Sequence, residues 1–287
     1  MKKIKLILAL IAFVVFYGCI GNSGHGDSRI VKLVTIDDEN ITIYCYDYSE
    51  EKPSYTKVQM KNSGVENTIA EILSQNRYNL KLCRYVVCGE NIVDNDINSV
   101  FSALIESKFS PDIAIINGDV NDGEKYIEEV NDLYPIYSYK LADNKINGVV
   151  RNADTAENKI IVDSSLYKTM DKEQSFVFDI LNGNIKNGIY LFEKDNKNYV
   201  AEMERISVYN TVVDNVLKVN IFADLKSYKG MTADAYSKKE FSKYLENNIK
   251  ENGERIYNDE VIVAKFNLLW YSKIENFADI EINVCII

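Results

Sequence analysis

The stretch PDIAIINGDVNDGE, residues 111–124, is where the side chains best placed for chemistry gather. An apolar run, Ile113 to Ile116, leads into Asn117, Gly118 and Asp119, with Asn121 and Asp122 just beyond. A buried strand that delivers a Gly-Asp pair is one way to build a two-metal hydrolytic site. Such a site also draws neutral imidazoles from scattered motifs. The whole chain has one histidine, His25, and it sits in a Gly-, Ser- and Asn-rich stretch, with no Asp-x-His or Gly-Asn-His element anywhere. The metal-hydrolase reading fails on that count. A calcium loop fails too. Counted from Asp119, Gly123 falls fifth and Val130 twelfth, where an EF-hand needs Gly sixth and Glu twelfth. What remains is a strand, a turn and a helix, with Asn and Gly suiting the turn and Asp or Asn capping GEKYIEEV.

The other reactive side chains are equally unassembled. Besides Cys19 there are Cys45, Cys83, Cys88 and Cys285, with no CxxC. Cys83 and Cys88 stand five apart in the strand-like run LKLCRYVVCG, which predicts opposite faces. They read as buried apolar residues, and a single disulfide between distant cysteines stays open. There is no GxSxG and no phosphate loop. Adjacent acids such as Glu128 and Glu129 diverge on a helix. A hydrolase working through carboxylates alone would need a close, partly buried acid pair. No catalytic residue, metal ligand or cofactor site is therefore assigned, which favours a binding or scaffolding protein.

The elements around these residues predict an α+β protein of two to three small domains, with mixed or antiparallel sheets and packed helices. Lys2, Lys3 and Lys5 precede an apolar run, Leu6 to Tyr17, short for a membrane span and suited to a signal peptide over residues 1–18. Phe16-Tyr17-Gly18-Cys19 resembles a bacterial lipobox, with Phe16 and Tyr17 where Leu and a small residue are usual. That resemblance implies cleavage before Cys19, a lipid on its thiol, and a flexible tether over 19–29. An N-terminal domain spans 30–132. RIVKLVTID, ITIYCYDY, YTKVQM, LKLCRYVVCGE and DIAIIN read as strands. SGVENTIAEILSQN and DINSVFSALIES read as helices, the first opened by a Ser63/Glu66 capping box. Residues 133–173 form a middle segment or small second domain. A C-terminal α+β domain spans 174–287, with strands FVFDIL, GIYLFEKD, NYVAEMERI, NVLKVNIFADLK and FADIEINVCII. Its long helix opens on a second capping box, Ser237/Glu240.

The formal charge is −10, and removal of residues 1–18 with their three lysines would leave −13. Neutralising phosphates takes clustered Lys and Arg, so nucleic acid is not the expected partner. An acidic face does not cling to an anionic membrane either, and a lipid anchor on Cys19 would have to hold the chain there.

LVTID (33–37), the segment 63–73, the strand 85–90, the run 101–116, and Trp270 with Phe277 and IEINV occur in an order that resembles one family, the lipoprotein C subunit of spore germinant receptors, the Ger(x)C family. Residues 33–37, LVTID, resemble its strand that ends in a Gly-Ile-Asp-like turn. Ser63-Gly64 with Thr68-Ile69-Ala70-Glu71-Ile72-Leu73 resembles its next helix. Tyr85-Val86-Val87-Cys88-Gly89-Glu90 resembles its Val-x-Gly-Glu strand, and Phe101 to Ile116 its following helix and strand. Trp270, Phe277 and IEINV resemble its C-terminal pattern. Two features differ: Ile20-Gly21 stand in place of the family's Trp-Asp, and Cys83 or a neighbour in place of a strand His. The resemblance implies a non-enzymatic subunit on the outer face of the cytoplasmic (spore inner) membrane. It implies multi-pass membrane subunits as partners and a role in triggering germination. A solute-binding lipoprotein is the alternative, and a cleft between domains with convergent polar groups would mark it.

Overall fold

The structure is a computed structural model that describes residues 29–47, 54–75, 78–107, 109, 112–128, 137–138, 140–142, 145–194, 196–230, 238–266, 268 and 279–287. Cys19, His25, Ser237, Trp270 and Phe277, and the readings placed on them, lie outside the described residues. No described helix is long and apolar enough to cross a membrane.

The first sheet begins with β1 (Arg29–Ile36), β2 (Asn40–Asp47) and β3 (Ser54–Lys61), then helix α1 (Val65–Ser74). After the short β4 (Tyr78–Asn79) come β5 (Tyr85–Cys88), helices α2 (Glu90–Asn95) and α3 (Ile97–Glu106), β6 (Asp112–Asn117) and α4 (Gly123–Glu128). The short β7 (Tyr137–Ser138) and β8 (Lys140–Ala142) precede β9 (Lys145–Asn152), β10 (Asn158–Val162) and β11 (Ser165–Met170). The main path runs β11-β10-β9-β6-β5-β1-β2-β3. Its centre is parallel: β1 pairs with β5, β5 with β6, and β6 with β9. Parallel strands are covered on both faces, and the sequence reflects this. All of Tyr85–Cys88 is buried. Ile41, Ile43 and Cys45 face the core under α1, α2 and α3, while Tyr44 faces a smaller core with Tyr126 of α4. Residues 133–173, expected as a middle segment or small second domain, contribute β9, β10 and β11 to this same sheet.

The second sheet has the order β12-β13-β14-β15, with β12 (Gly188–Lys194), β13 (Lys197–Val213), β14 (Val216–Gly230) and β15 (Asp279–Ile286). β13 and β14 form a long antiparallel hairpin, closed by Asp214 and Asn215, whose φ values of 53° and 63° suit a two-residue turn that follows the strand twist. β15 is parallel to β14. The alternation of β14 puts Leu217, Val219, Ile221, Ala223 and Leu225 inward. Three helices complete this half: α5 (Lys172–Leu181), α6 (Lys238–Tyr257) and α7 (Glu260–Lys265). Phe241, Leu245 and Ile249 of α6 supply the apolar stripe that meets the sheet. Val149, Ile160, Val162 and Met170 of the first sheet belong to the same core, so the two halves share one apolar interior.

Three local expectations are corrected. FVFDIL lies in helix α5, capped by Asp171, whose Oδ1 accepts the Gln174 N–H at 2.8 Å. Every residue from Ser175 to Leu181 is buried, and a helix buried all round loses the 3.6-residue signature that separates it from a strand. The Ser63/Glu66 box does not form. Gly64 is the N-cap at φ 111°, with no side-chain cap, and the Ser63 N–H donates to Thr68 Oγ1 at 3.1 Å. Cys83 and Cys88 do not take opposite faces. A turn of 3-10 helix, Leu80–Leu82, precedes β5, and both cysteines enter the same core as Cys45.

Gly123 lies against the buried Tyr44 ring, and a Cβ built there would sit inside the ring's van der Waals contact distance. Gly123→Ala is expected to destabilise by about 1–3 kcal/mol through overpacking, which exceeds the ~1 kcal/mol helix-propensity gain. A lower urea midpoint at unchanged slope checks it.

Candidate functional site

At the end of β6, Asp119 Oδ1 accepts the Asn121 backbone N–H at 2.9 Å and its Nδ2 at 3.0 Å. This is a side-chain turn that starts the path into α4. Gly118 makes room for the Tyr126 hydroxyl and the Ala153 methyl. The stretch 117–124 thus packs α4 onto the sheet. Among the described residues no group of three or more His, Cys, Asp or Glu side chains converges as a metal cage.

The described thiols divide by burial. Cys45, Cys83 and Cys88 are buried and free, and Cys285 is exposed on β15. Burial pushes Cys45 up to about 11 and Cys83 up to about 12, and it raises Cys88 as well. A buried thiol resists ionisation because the thiolate loses its hydration. In the native protein at pH 8, an alkylating reagent is expected to modify Cys285 and spare Cys45, Cys83 and Cys88 until urea unfolds the chain. The folded state holds these protons more tightly than the unfolded one, so stability is expected to fall as pH rises. The decline starts near the ordinary value of 9.0 and continues towards 12 for Cys83. Alkaline urea melts read it directly.

A cleft of about 830 Å³ lies where the two halves meet. Lys125 of α4, Arg151 of β9, and Ala153 and Ala156 beyond it form the first-sheet side. Phe176 and Asp179 of α5, Ile185 in the loop that follows, Ile189 and Leu191 of β12, and Met203 of β13 form the other. Charged side chains converge on it. Arg151 Nη1 donates to Asp179 Oδ2 at 2.8 Å, with side-chain exposures of 13% and 1%. The fully buried Asn158 donates its Nδ2 to Asp179 Oδ1 at 3.2 Å. Asp179 is the one buried carboxylate among the described residues, and this pair fixes β9 against α5. Lys226 donates to Glu202 at 2.7 Å and Glu204 at 3.0 Å, and Arg205 pairs with Asp224. The Lys226 hydrogen bond holds Glu202 below the usual carboxylate range, helped by Ser227. Motif reading missed this cleft. Its walls come from segments far apart in the chain, and the one hint was a polar Asp inside the apolar run FVFDIL.

No family model matches the chain, and no curated protein matches it. Among solved structures, the chain is similar to the crystal structure of the GerBC protein, with 12% identity, 88% of this chain and 96% of that chain covered, and a TM-score of 0.38. It is also similar to the Aquifex aeolicus Ppx/GppA phosphatase, type II variant, with 9% identity, 50% of this chain and 51% of that chain covered, and a TM-score of 0.25. At such TM-scores neither likeness extends to side-chain chemistry.

Proposed function

We propose that the chain is a non-enzymatic, lipid-anchored subunit of a membrane receptor assembly of the spore-germinant type. The observation that carries the reading is a spatial one. Three motifs linked in the sequence only by their order meet at one end of the first sheet. The Gly89 N–H donates to Ile36 O at 2.9 Å, which joins the Val-x-Gly-Glu-like strand end to the end of LVTID. Asn62, next to Ser63-Gly64, donates its Nδ2 to Asp37 O at 2.7 Å. Asn91, next to Glu90, donates to the Asp38 carboxylate at 2.7 Å. A surface so assembled supports a contact role, and multi-pass membrane subunits are the partners proposed for it. The anchor proposed is a lipid on Cys19, which would hold the acidic chain at the outer face of the cytoplasmic membrane.

Gentle-detergent capture of the tagged protein from spore membranes tests this. Two multi-pass subunits in fixed ratio are expected, and Cys19→Ala is expected to move the protein to the soluble fraction. Recovery of the chain alone, from a preparation in which known complexes survive, would sink the receptor reading. The cleft between the halves favours a second reading, a solute-binding lipoprotein.

A further inference from the structure

We infer that the cleft between the two halves binds a small molecule with an apolar body and a carboxylate end. The inference deepens the solute-binding reading and does not depend on the receptor assembly.

The size comes first. About 830 Å³ falls in the range of clefts that hold small organic ligands, which run from a few hundred to about 1,000 Å³. The lining is amphiphilic in the sense such sites need. Ile189 and Leu191, on alternate positions of β12, are 56% and 42% exposed, and both line the cleft. Their neighbours Tyr190 and Phe192 point into the core. The outward pair thus leaves an apolar wall open to water, beside Ile185, Phe176 and Met203.

The charge pattern sets the sign of the ligand. Of the cations that line the cleft, Arg151 is matched by Asp179, Lys226 by Glu202 and Glu204, and Arg205 by Asp224. Lys125 has no carboxylate within ion-pair distance among the described residues. It is exposed on the first turn of α4, across the cleft from β12. A local uncommitted cation in a chain of net charge −10 is where an anion would be drawn. A carboxylate fits better than a phosphate, because one ammonium balances one negative charge and the other three cations already face four carboxylates, two of them on Lys226. The apolar body would lie on Ile189 and Leu191, in a cleft braced by the Arg151–Asp179 pair.

The test is calorimetric titration of the purified full chain in detergent with hydrocinnamate and octanoate, each beside its neutral amide. Saturable binding of the acids is expected, about tenfold tighter than that of the amides. Lys125→Gln is expected to bring the acids down to the amides and leave the amides unchanged. Leu191→Ser is expected to weaken acids and amides together. Both positions are exposed, and circular dichroism verifies that each variant is folded. Three results would overturn the inference: no saturable binding up to about 10 mM, equal affinity for acid and amide, or an acid preference that survives Lys125→Gln. None of these would bear on the capture of membrane subunits, so this inference and the receptor reading fail separately.

Discussion

Asp179→Ala is expected to lose about 3–5 kcal/mol of stability. The side chain is 1% exposed and accepts from Arg151 Nη1 and from the buried Asn158. Truncation removes the charge that balances a guanidinium only 13% exposed, and it strips a partner from a buried amide. The loss comes mainly from what is left behind, because a buried charge without its counter-ion bears the full desolvation penalty. The double variant Arg151→Met with Asp179→Leu separates this from simple loss of contact. Replacing both ions with apolar groups of similar volume removes the orphan, and the double variant is expected to be more stable than Asp179→Ala alone. A urea-melt cycle over the wild type, the two single variants and the double reads the coupling. The same substitution frees the guanidinium at the base of the cleft, so a change in cleft binding is expected with it.

Phe241→Ala is expected to cost about 3–5 kcal/mol, and Phe241→Leu less. Phe241 stands in the first turns of α6 and is fully buried. Its ring stacks on Tyr228 at 4.5 Å between centroids and meets Phe192 at 5.9 Å and Tyr199 at 6.1 Å. These rings come from β14, β12 and β13, so one side chain ties the helix to three strands. The cavity left by its removal cannot close without moving all of them. Tyr209→Ala serves as the contrast. Tyr209 is of similar size but exposed on the opposite face of the same sheet, and its loss is expected to stay within about 0.5 kcal/mol. Urea midpoints of the variants decide the matter. A Phe241→Ala midpoint close to that of Tyr209→Ala would mean that α6 does not close this core.

Neither effect arises from a motif, and that explains how the sequence could be read. Where a strand is covered on one face, period-two alternation names its buried residues, as in β14, where Leu217 to Leu225 point inward without exception. Where a helix is covered on one side, its stripe is equally plain, as in Val65, Ile69 and Ile72 of α1 and Phe241, Leu245 and Ile249 of α6. The α+β class followed from those patterns. Histidine usage and loop counting, by contrast, argued against a metal site at NGDVND. These are properties of local periodicity and residue type, which a chain carries wherever it folds.

Burial on every side erased the same signals. FVFDIL is a helix that reads as a strand because both its faces meet apolar neighbours. Cys83 joined the core of Cys88 because it ends a turn of 3-10 helix, Leu80–Leu82, and lies before the strand, so strand parity does not relate the two. That 145–170 would extend the first sheet was likewise beyond local reading, since β9 pairs with β6 across an intervening segment. The cleft depends on the same long-range choices. Lys125, Arg151, Asp179 and Leu191 lie on four separate elements, and no spacing relates them. Local pattern determined which residues turn inward. Only the packing of one sheet's flank against helix α5 decided that a buried Asp would meet an Arg, and that an apolar wall would be left facing a Lys with no carboxylate beside it among the described residues.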